Sequence, residues 1–310
     1  MKPTIAVTLS ILIFTAAAHA DTFGTGANAF DIEFVTIGNP GNVDDPLRAI
    51  GSVDYVFRIG KYEISEDMVN KANAEGGLGI THNNRGANKP VSNVSWFEAV
   101  KFANWLNIST NRSPAYKFDT EGNFQVWQPS DVGYNPNNIY RNSQAKYFLP
   151  SSNEWHKAAY YDPTASVYYV YPTGKGSSLP SPIRSGTTPG TAVYQVPFPA
   201  GPADITQAGG LSPYGTMAQG GNVYEWQEVY LYKDNVPNLE IRGYRGGSYS
   251  QLVWPMASVN YGYNVPRTES SNVGFRVASI PEPDSFLLGV LAGLTLLIAR
   301  SGTHDRRDAL

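Results

Sequence analysis

Apolar and polar residues follow helical spacing in three short stretches and strand-like alternation in several others. The tetrapeptide Ser95-Trp96-Phe97-Glu98 is a capping box, in which a hydroxyl and a carboxylate satisfy the first backbone donors of a helix. It predicts a helix over 96–107, with Trp96, Val100, Ala103 and Asn107 on one side and Phe97, Phe102 and Trp105 widening the stripe. A second capping box, Ser151-Ser152-Asn153-Glu154, predicts a helix to about residue 160, with Pro163 just beyond it. Ser65 caps a third over 66–74, where Glu66 and Asp67 favour the helix dipole. Strands are predicted at 32–37, 55–64, 146–149, 223–230, around Tyr249, and at 274–279. Tyr55, Phe57 and Ile59 alternate there with Val56 and Arg58. Residues 172–210, dense in Gly, Pro, Ser and Thr, read as an ordered surface loop. The mixture predicts one α+β domain with little regular secondary structure.

Both ends depart from this pattern. Lys2, an uncharged apolar run over 5–18, and Ala18-His19-Ala20 form a signal peptide over 1–20, cleaved after Ala20. Pro281-Glu282-Pro283 precedes an apolar run over 286–299, followed by Arg300, Arg306 and Arg307. That run spans roughly 21 Å as a helix, short of a ~30 Å hydrocarbon core. The arginines orient it with the domain outside and the tail inside. The order Pro-Glu-Pro, apolar helix, arginines resembles the PEP-CTERM sorting signal. The resemblance implies exosortase-type sorting machinery as a partner, transient inner-membrane anchoring, and delivery to the outer surface or extracellular matrix. The domain itself is then 21–280, with 281–310 as the sorting segment.

Composition removes several chemistries. The net charge is −3 with no basic run in the domain, so nucleic acid is not an expected partner. There is no Cys, hence no disulfide, thiolate nucleophile or iron–sulfur cluster. Only His82 and His156 lie within the domain, so a zinc or iron site would need both together with carboxylates. His156, after Trp155 on a short helix, is expected at the solvent edge.

Five segments then stand in a telling order. They are 57–65 (FRIGKYEIS); 90–96 (PVSNVSW) running into Ala103-Asn104-Trp105-Leu106; Phe148-Leu149-Pro150-Ser151 to Trp155 with Lys157-Ala158-Ala159; Gly221-Asn222-Val223-Tyr224-Glu225-Trp226; and Arg245-Gly246-Gly247-Ser248-Tyr249 followed by Gly274-Phe275-Arg276-Val277. Together they resemble the formylglycine-generating enzyme (sulfatase-modifying factor) family across 31–280. The resemblance implies a formylglycine-generating-enzyme-like fold, an elaborated C-type-lectin-like single domain. It implies an oxidase acting on sulfatases through copper on two thiolates, whose positions fall here on Asn272 and Val277. Neither side chain is a ligand for a soft ion. It also implies a calcium site at Glu225 and the carbonyls of Gly221 and Val223, but the family's upstream Asn is Ala218 here, leaving the site one ligand short. The related iron-dependent branch uses three His that this chain lacks.

Read from the residues themselves, Glu225, Trp226, Arg245 and Arg276 are architectural. Glu225 and Arg245 are expected to form a buried ion pair or to bridge backbone groups, and Arg276 to meet a carboxylate or carbonyls. Glu225 and Glu228, three apart on a strand, face opposite sides and form no catalytic dyad. The expectation is an exported cell-surface or matrix protein, non-catalytic, used for binding or envelope structure, with no cofactor beyond calcium. Tyrosine-rich segments at 134–140, 160–171 and 261–263 offer stacking faces for polysaccharide or a protein ligand. The competing expectation is the family's oxidase.

Overall fold

The structure, a computed structural model, describes residues 19–174, 176–228 and 241–281. Its main elements are β1 (His19–Phe23), β2 (Phe30–Ile37), β3 (Phe57–Gly60), α1 (Glu66–Gly76), α2 (Trp96–Ser109), β4 (Tyr147–Phe148), α3 (Ser152–Tyr160), β5 (Tyr224–Trp226), β6 (Arg242–Arg245), β7 (Gly262–Asn264), β8 (Val273–Gly274) and β9 (Ala278–Ser279). One sheet has the order β1-β2-β3-β9-β4, with every pair antiparallel. The second has the order β7-β6-β5-β8, in which β5 runs antiparallel to β6 and parallel to β8. Short two-stranded ladders account for most of the remaining pairing.

The helices start where the caps place them. The Ser65 hydroxyl accepts from Met68 N–H at 3.2 Å, and α1 ends at Gly77, whose φ of 60° suits a residue without a side chain. Both halves of the capping boxes at Ser95/Glu98 and Ser151/Glu154 are formed. Along α2, Trp96, Val100, Phe102, Ala103 and Asn107 are fully buried against β4, β2 and the last strands. Asn107 is tolerated there because its amide donates to Ala103 O and Tyr147 O, while its oxygen accepts from Lys146 and Tyr147 N–H.

Four expectations need correction. The strand expected around Tyr249 does not form; Tyr249 sits in a turn, and the strand is β6, immediately before the Gly246-Gly247 pair. The strand expected at 274–279 is split, because Phe275-Arg276-Val277 carries the chain from one sheet to the other. Gly60 N–H still donates to Val277 O and Ile64 N–H to Phe275 O across this crossing. The stretch 172–210 is more than a surface loop: Val193, Val196 and Ala203 join Ala208, Met217 and Ala218 in a second small core. Of the strand expected at 223–230, only Tyr224–Trp226 pairs; residues 229–230 lie outside the described residues.

No helix among the described residues is long and apolar enough to cross a membrane. The apolar runs at 5–18 and 286–299, and Glu282 and Pro283 of the sorting tripeptide, lie outside those residues. Pro281 is half-buried at the domain's end. Ala20 is exposed on β1, and the next residue, Asp21, anchors the strand through Arg58 and Tyr147.

Candidate functional site

The crossing at 275–277 turns Arg276 inward, and a buried cation demands a partner. Its Nη2 donates to Glu225 Oε1 at 2.6 Å and its Nε to Glu225 Oε2. The remaining donors reach the carbonyls of Gly60, Lys61 and Met217. Trp155 Nε1 adds a bond to Glu225 Oε2 at 2.6 Å. Of the two arrangements expected from the sequence, the Glu225–Arg245 ion pair does not form, although the two residues face each other across β5 and β6, and Arg245 bridges backbone carbonyls instead. Strand partners share a face, but the bidentate geometry of Arg276 takes the carboxylate first.

A second carboxyl, Glu63, sits beside this pair. It accepts from Asn222 Nδ2 at 2.6 Å and from Val223 N–H at 3.2 Å. Burial, and then the neighbouring Glu225 charge, pushes its pKa well above the usual carboxylate range. Arg276 engages Glu225 directly, so Glu63 lacks a counter-charge of its own in hydrogen-bond contact. Asn222 orients it while its own Oδ1 accepts from Ala203 N–H at 2.8 Å, tying in the 196–204 loop. The approach at Gly221 is tight: φ is 87°, and a Cβ would lie 2.3 Å from Val193 O. Gly221→Ala is expected to cost about 3 kcal/mol, read as a fall in urea midpoint at unchanged slope.

Arg245 lies apart, donating through Nη1 to Ser258 O and Asn260 O at 3.1 and 3.0 Å, with its guanidinium over the Tyr261 ring. Burial pulls its pKa down to about 10. Nearby is His156, which is wholly buried rather than at the solvent edge. Eight of the nine residues of α3 are buried, so this helix has almost no solvent face. His156 Nε2 faces Asp45 Oδ2 at 2.9 Å, and burial, reinforced by Arg245, lowers its pKa to about 4. His82 is elsewhere, against Asn70 and Glu66. Among the described residues no group of three or more His, Cys, Asp or Glu side chains is arranged to hold a metal ion.

Asn272 and Val277 bring no metal chemistry. Asn272 Nδ2 donates to Ser248 Oγ at 3.2 Å, and Val277 is fully buried in the core. Of the calcium ligands implied at Gly221, Val223 and Glu225, the Glu225 carboxylate is already engaged by Arg276 and Trp155. Ala218, at the missing ligand's position, is buried with φ 65°. Trp226 is core, donating Nε1 to Val94 O at 3.0 Å.

A groove of about 710 Å³ includes Tyr55, Asn137, Asn138, Tyr140, Arg141 and Glu228 in its walls. Its floor is a closed network. Arg141 donates to both oxygens of Glu154 at 3.0 and 2.8 Å and to both of Glu228 at 2.7 Å. Tyr116 and Asn138 complete Glu228, and Tyr55 and Ser151 N–H complete Glu154. For Glu154, burial raises the pKa, but the Arg141 charge and the hydrogen bonds from Arg141, Ser151 N–H and Tyr55 together hold it below the usual range. Both carboxylates thus act as fixed acceptors, and neither has an oxygen available for proton transfer. Of the tyrosines offered as stacking faces, Tyr160, Tyr161 and Tyr171 belong to the core, while Tyr140 lines this groove.

Sequence reasoning missed Glu63, Arg141 and Asp45. Glu154 was visible only as a cap; it caps α3 and grips Arg141 with the same carboxylate. Glu63 stood within the family-like segment 57–65 without a motif of its own.

Among the described residues, two multi-stranded sheets, three α-helices and long ordered loops around buried Glu–Arg pairs define a loop-rich α+β domain. The chain belongs to the sulfatase-modifying factor enzyme 1-like domain family, matched over residues 44–280. It is 25% identical to a protein named "Chaperone protein LppX" from Paenibacillus barcinonensis over 209 residues, covering 64% of this chain and 70% of that one. Its fold is similar to Treponema denticola variable protein 1, with TM-score 0.58 and 18% identity over 84% of this chain and 99% of the other. It is also similar to CarF, with TM-score 0.53 and 23% identity over 81% and 99%, and to PvdO from Pseudomonas aeruginosa, with TM-score 0.50 and 15% identity over 84% and 98%.

Proposed function

We propose that this protein is an exported, non-catalytic protein of the cell surface or extracellular matrix, used for binding or envelope structure and built on the family fold, an elaborated C-type-lectin-like domain. The observation that carries the reading is the pair Asn272 and Val277 where the resemblance puts two copper-binding thiolates. The locked state of Glu225, Glu154 and Glu228 supports it further, since each carboxylate already accepts from several donors. Calcium is not needed to neutralise Glu225. A relative named as a chaperone is also compatible with binding rather than oxidation.

The groove is the proposed ligand face. Amides of Asn137 and Asn138 and the partly exposed ring of Tyr55 suit the hydroxyls and flat faces of a neutral saccharide. Screening the purified protein against surface and matrix polysaccharides tests this. Tyr55→Ala and Asn137→Ala should each weaken the best binder about tenfold, or about 1.4 kcal/mol. Binding to no glycan, or binding unaffected by both variants, would overturn the groove assignment.

The sorting reading has its own test. After passage through the membrane the chain should lose 286–299, so mass spectrometry of the surface form should find a C-terminus close to residue 283. An intact Leu310 in that form would refute cleavage.

A further inference from the structure

Another concavity, of about 500 Å³, gathers three cations. Arg85, Lys89 and Arg184 line it, together with Val196, Pro199 and Pro202 from the 196–204 loop. Arg85 is fixed from beneath. Its Nη1 donates to Ser92 Oγ and Ser271 O at 2.8 and 2.9 Å, its Nη2 donates to Tyr249 OH at 3.0 Å, and its guanidinium lies over the Tyr249 ring. All of these acceptors are neutral. The nearby Glu66 carboxylate is engaged by the backbone N–H groups of Arg85 and Gly86. Lys89 pairs with Asp204 at 2.8 Å. Arg184 is exposed and makes no hydrogen bond or ion pair among the described residues. Two of the three cations therefore lack a carboxylate partner there, in a chain whose net charge is −3.

The wall is held in place. Val196 N–H donates to Tyr249 O at 2.7 Å, and Ala203 N–H reaches Asn222 at 2.8 Å. Gly201 lies directly over the Arg85 stem, where a Cβ would come within 3.4 Å of Cδ. Phe198, the chain neighbour of the lining residue Pro199, is 97% exposed. The anchored guanidinium and an arginine with no partner among the described residues offer two anion contacts, and the exposed ring next to Pro199 in the chain offers a flat apolar one.

We infer that this pocket binds an acidic saccharide, with its carboxylate or sulfate groups on Arg85 and Arg184 and a sugar face against Phe198. The pocket is separate from the Tyr55 groove, but the choice of a saccharide rests on the surface-binding reading above. The test is calorimetry of the purified protein with a polyuronate oligosaccharide, a sulfated galactan oligosaccharide, a neutral galactan of equal length and a polyglutamate peptide. At least one acidic saccharide should bind, and raising the salt from low to high should weaken it about tenfold, because exposed charges are screened. Arg184→Ser and Phe198→Ser, both at exposed positions, should each weaken it roughly three- to tenfold with melting temperature unchanged. Whether the uronate or the sulfated chain binds tells which acid the pocket takes. The inference is overturned if neither acidic chain binds, if the neutral galactan binds this pocket as well, or if Arg184→Ser has no effect. Polyglutamate binding as tightly overturns the saccharide assignment. Neutral glycan still held through Tyr55 while both acidic chains fail would sink this inference alone; no saccharide binding at all would sink the wider reading with it.

Discussion

Glu225→Gln should lower the unfolding free energy by about 3–5 kcal/mol, because it leaves Arg276 buried without its counter-charge. Glu63→Gln should cost only about 1 kcal/mol, the worth of one hydrogen bond. The two carboxyls are neighbours and both fully buried, so the contrast does not come from exposure. It comes from charge: Arg276 grips Glu225 at two points, while Glu63, its pKa raised by burial and by the Glu225 charge, is held by the neutral donors Asn222 and Val223 N–H. In the Glu225 variant, Glu63 becomes the nearest carboxyl able to ionise, which pulls the loss toward the lower figure. Urea unfolding at neutral pH measures both. Equal losses for the two variants would show that the charge is shared between them.

The second large effect follows pH. His156 has a folded pKa lowered from 6.5 to about 4, mainly by burial. As pH falls below 6.5 the unfolded chain takes up a proton that the folded chain refuses. The stability tied to His156 is therefore intact above pH 6.5 and lost as pH falls toward 4, by about 3 kcal/mol in all. Protonation would create a cation near Arg245, and Nδ1 has no acceptor beside it among the described residues. Glu63 works in the opposite direction: its raised pKa contributes stability that is lost as pH rises above 4.5. The His156 contribution is isolated by comparing the protein with His156→Gln, whose stability should fall less steeply between pH 6.5 and 4. Parallel curves would place His156 in contact with water.

Helices were readable because their signals are local. Ser65, Ser95 and Ser151 each cap the helix that follows, and Glu98 and Glu154 close their boxes within three residues. The family assignment was readable as well, through segments such as 221–226 and 245–249. Partner choice was not. Glu225 and Arg245 are register partners, yet the guanidinium that reaches the carboxylate comes from a crossing segment 51 residues away. Alternation suggested an outward Arg58, but Asp21 and Ser279 cover it, and it is buried. His156 looked peripheral because Trp155 accounted for the apolar face of α3; its burial depends on Asp45, 111 residues away. The groove floor joins Arg141, Glu154 and Glu228 from three separate segments, and no spacing rule links them.

The central claim is that a sulfatase-modifying-factor fold here carries out no copper–thiol oxidation. The direct measurement is to load the purified protein with copper(I) under a competing chelator and then incubate it with oxygen and a cysteine-containing sulfatase peptide. With Asn272 and Val277 at the ligand positions and no Cys in the chain, the prediction is no copper retained and no thiol converted to aldehyde. One equivalent of tightly held copper together with formylglycine in the peptide would contradict it.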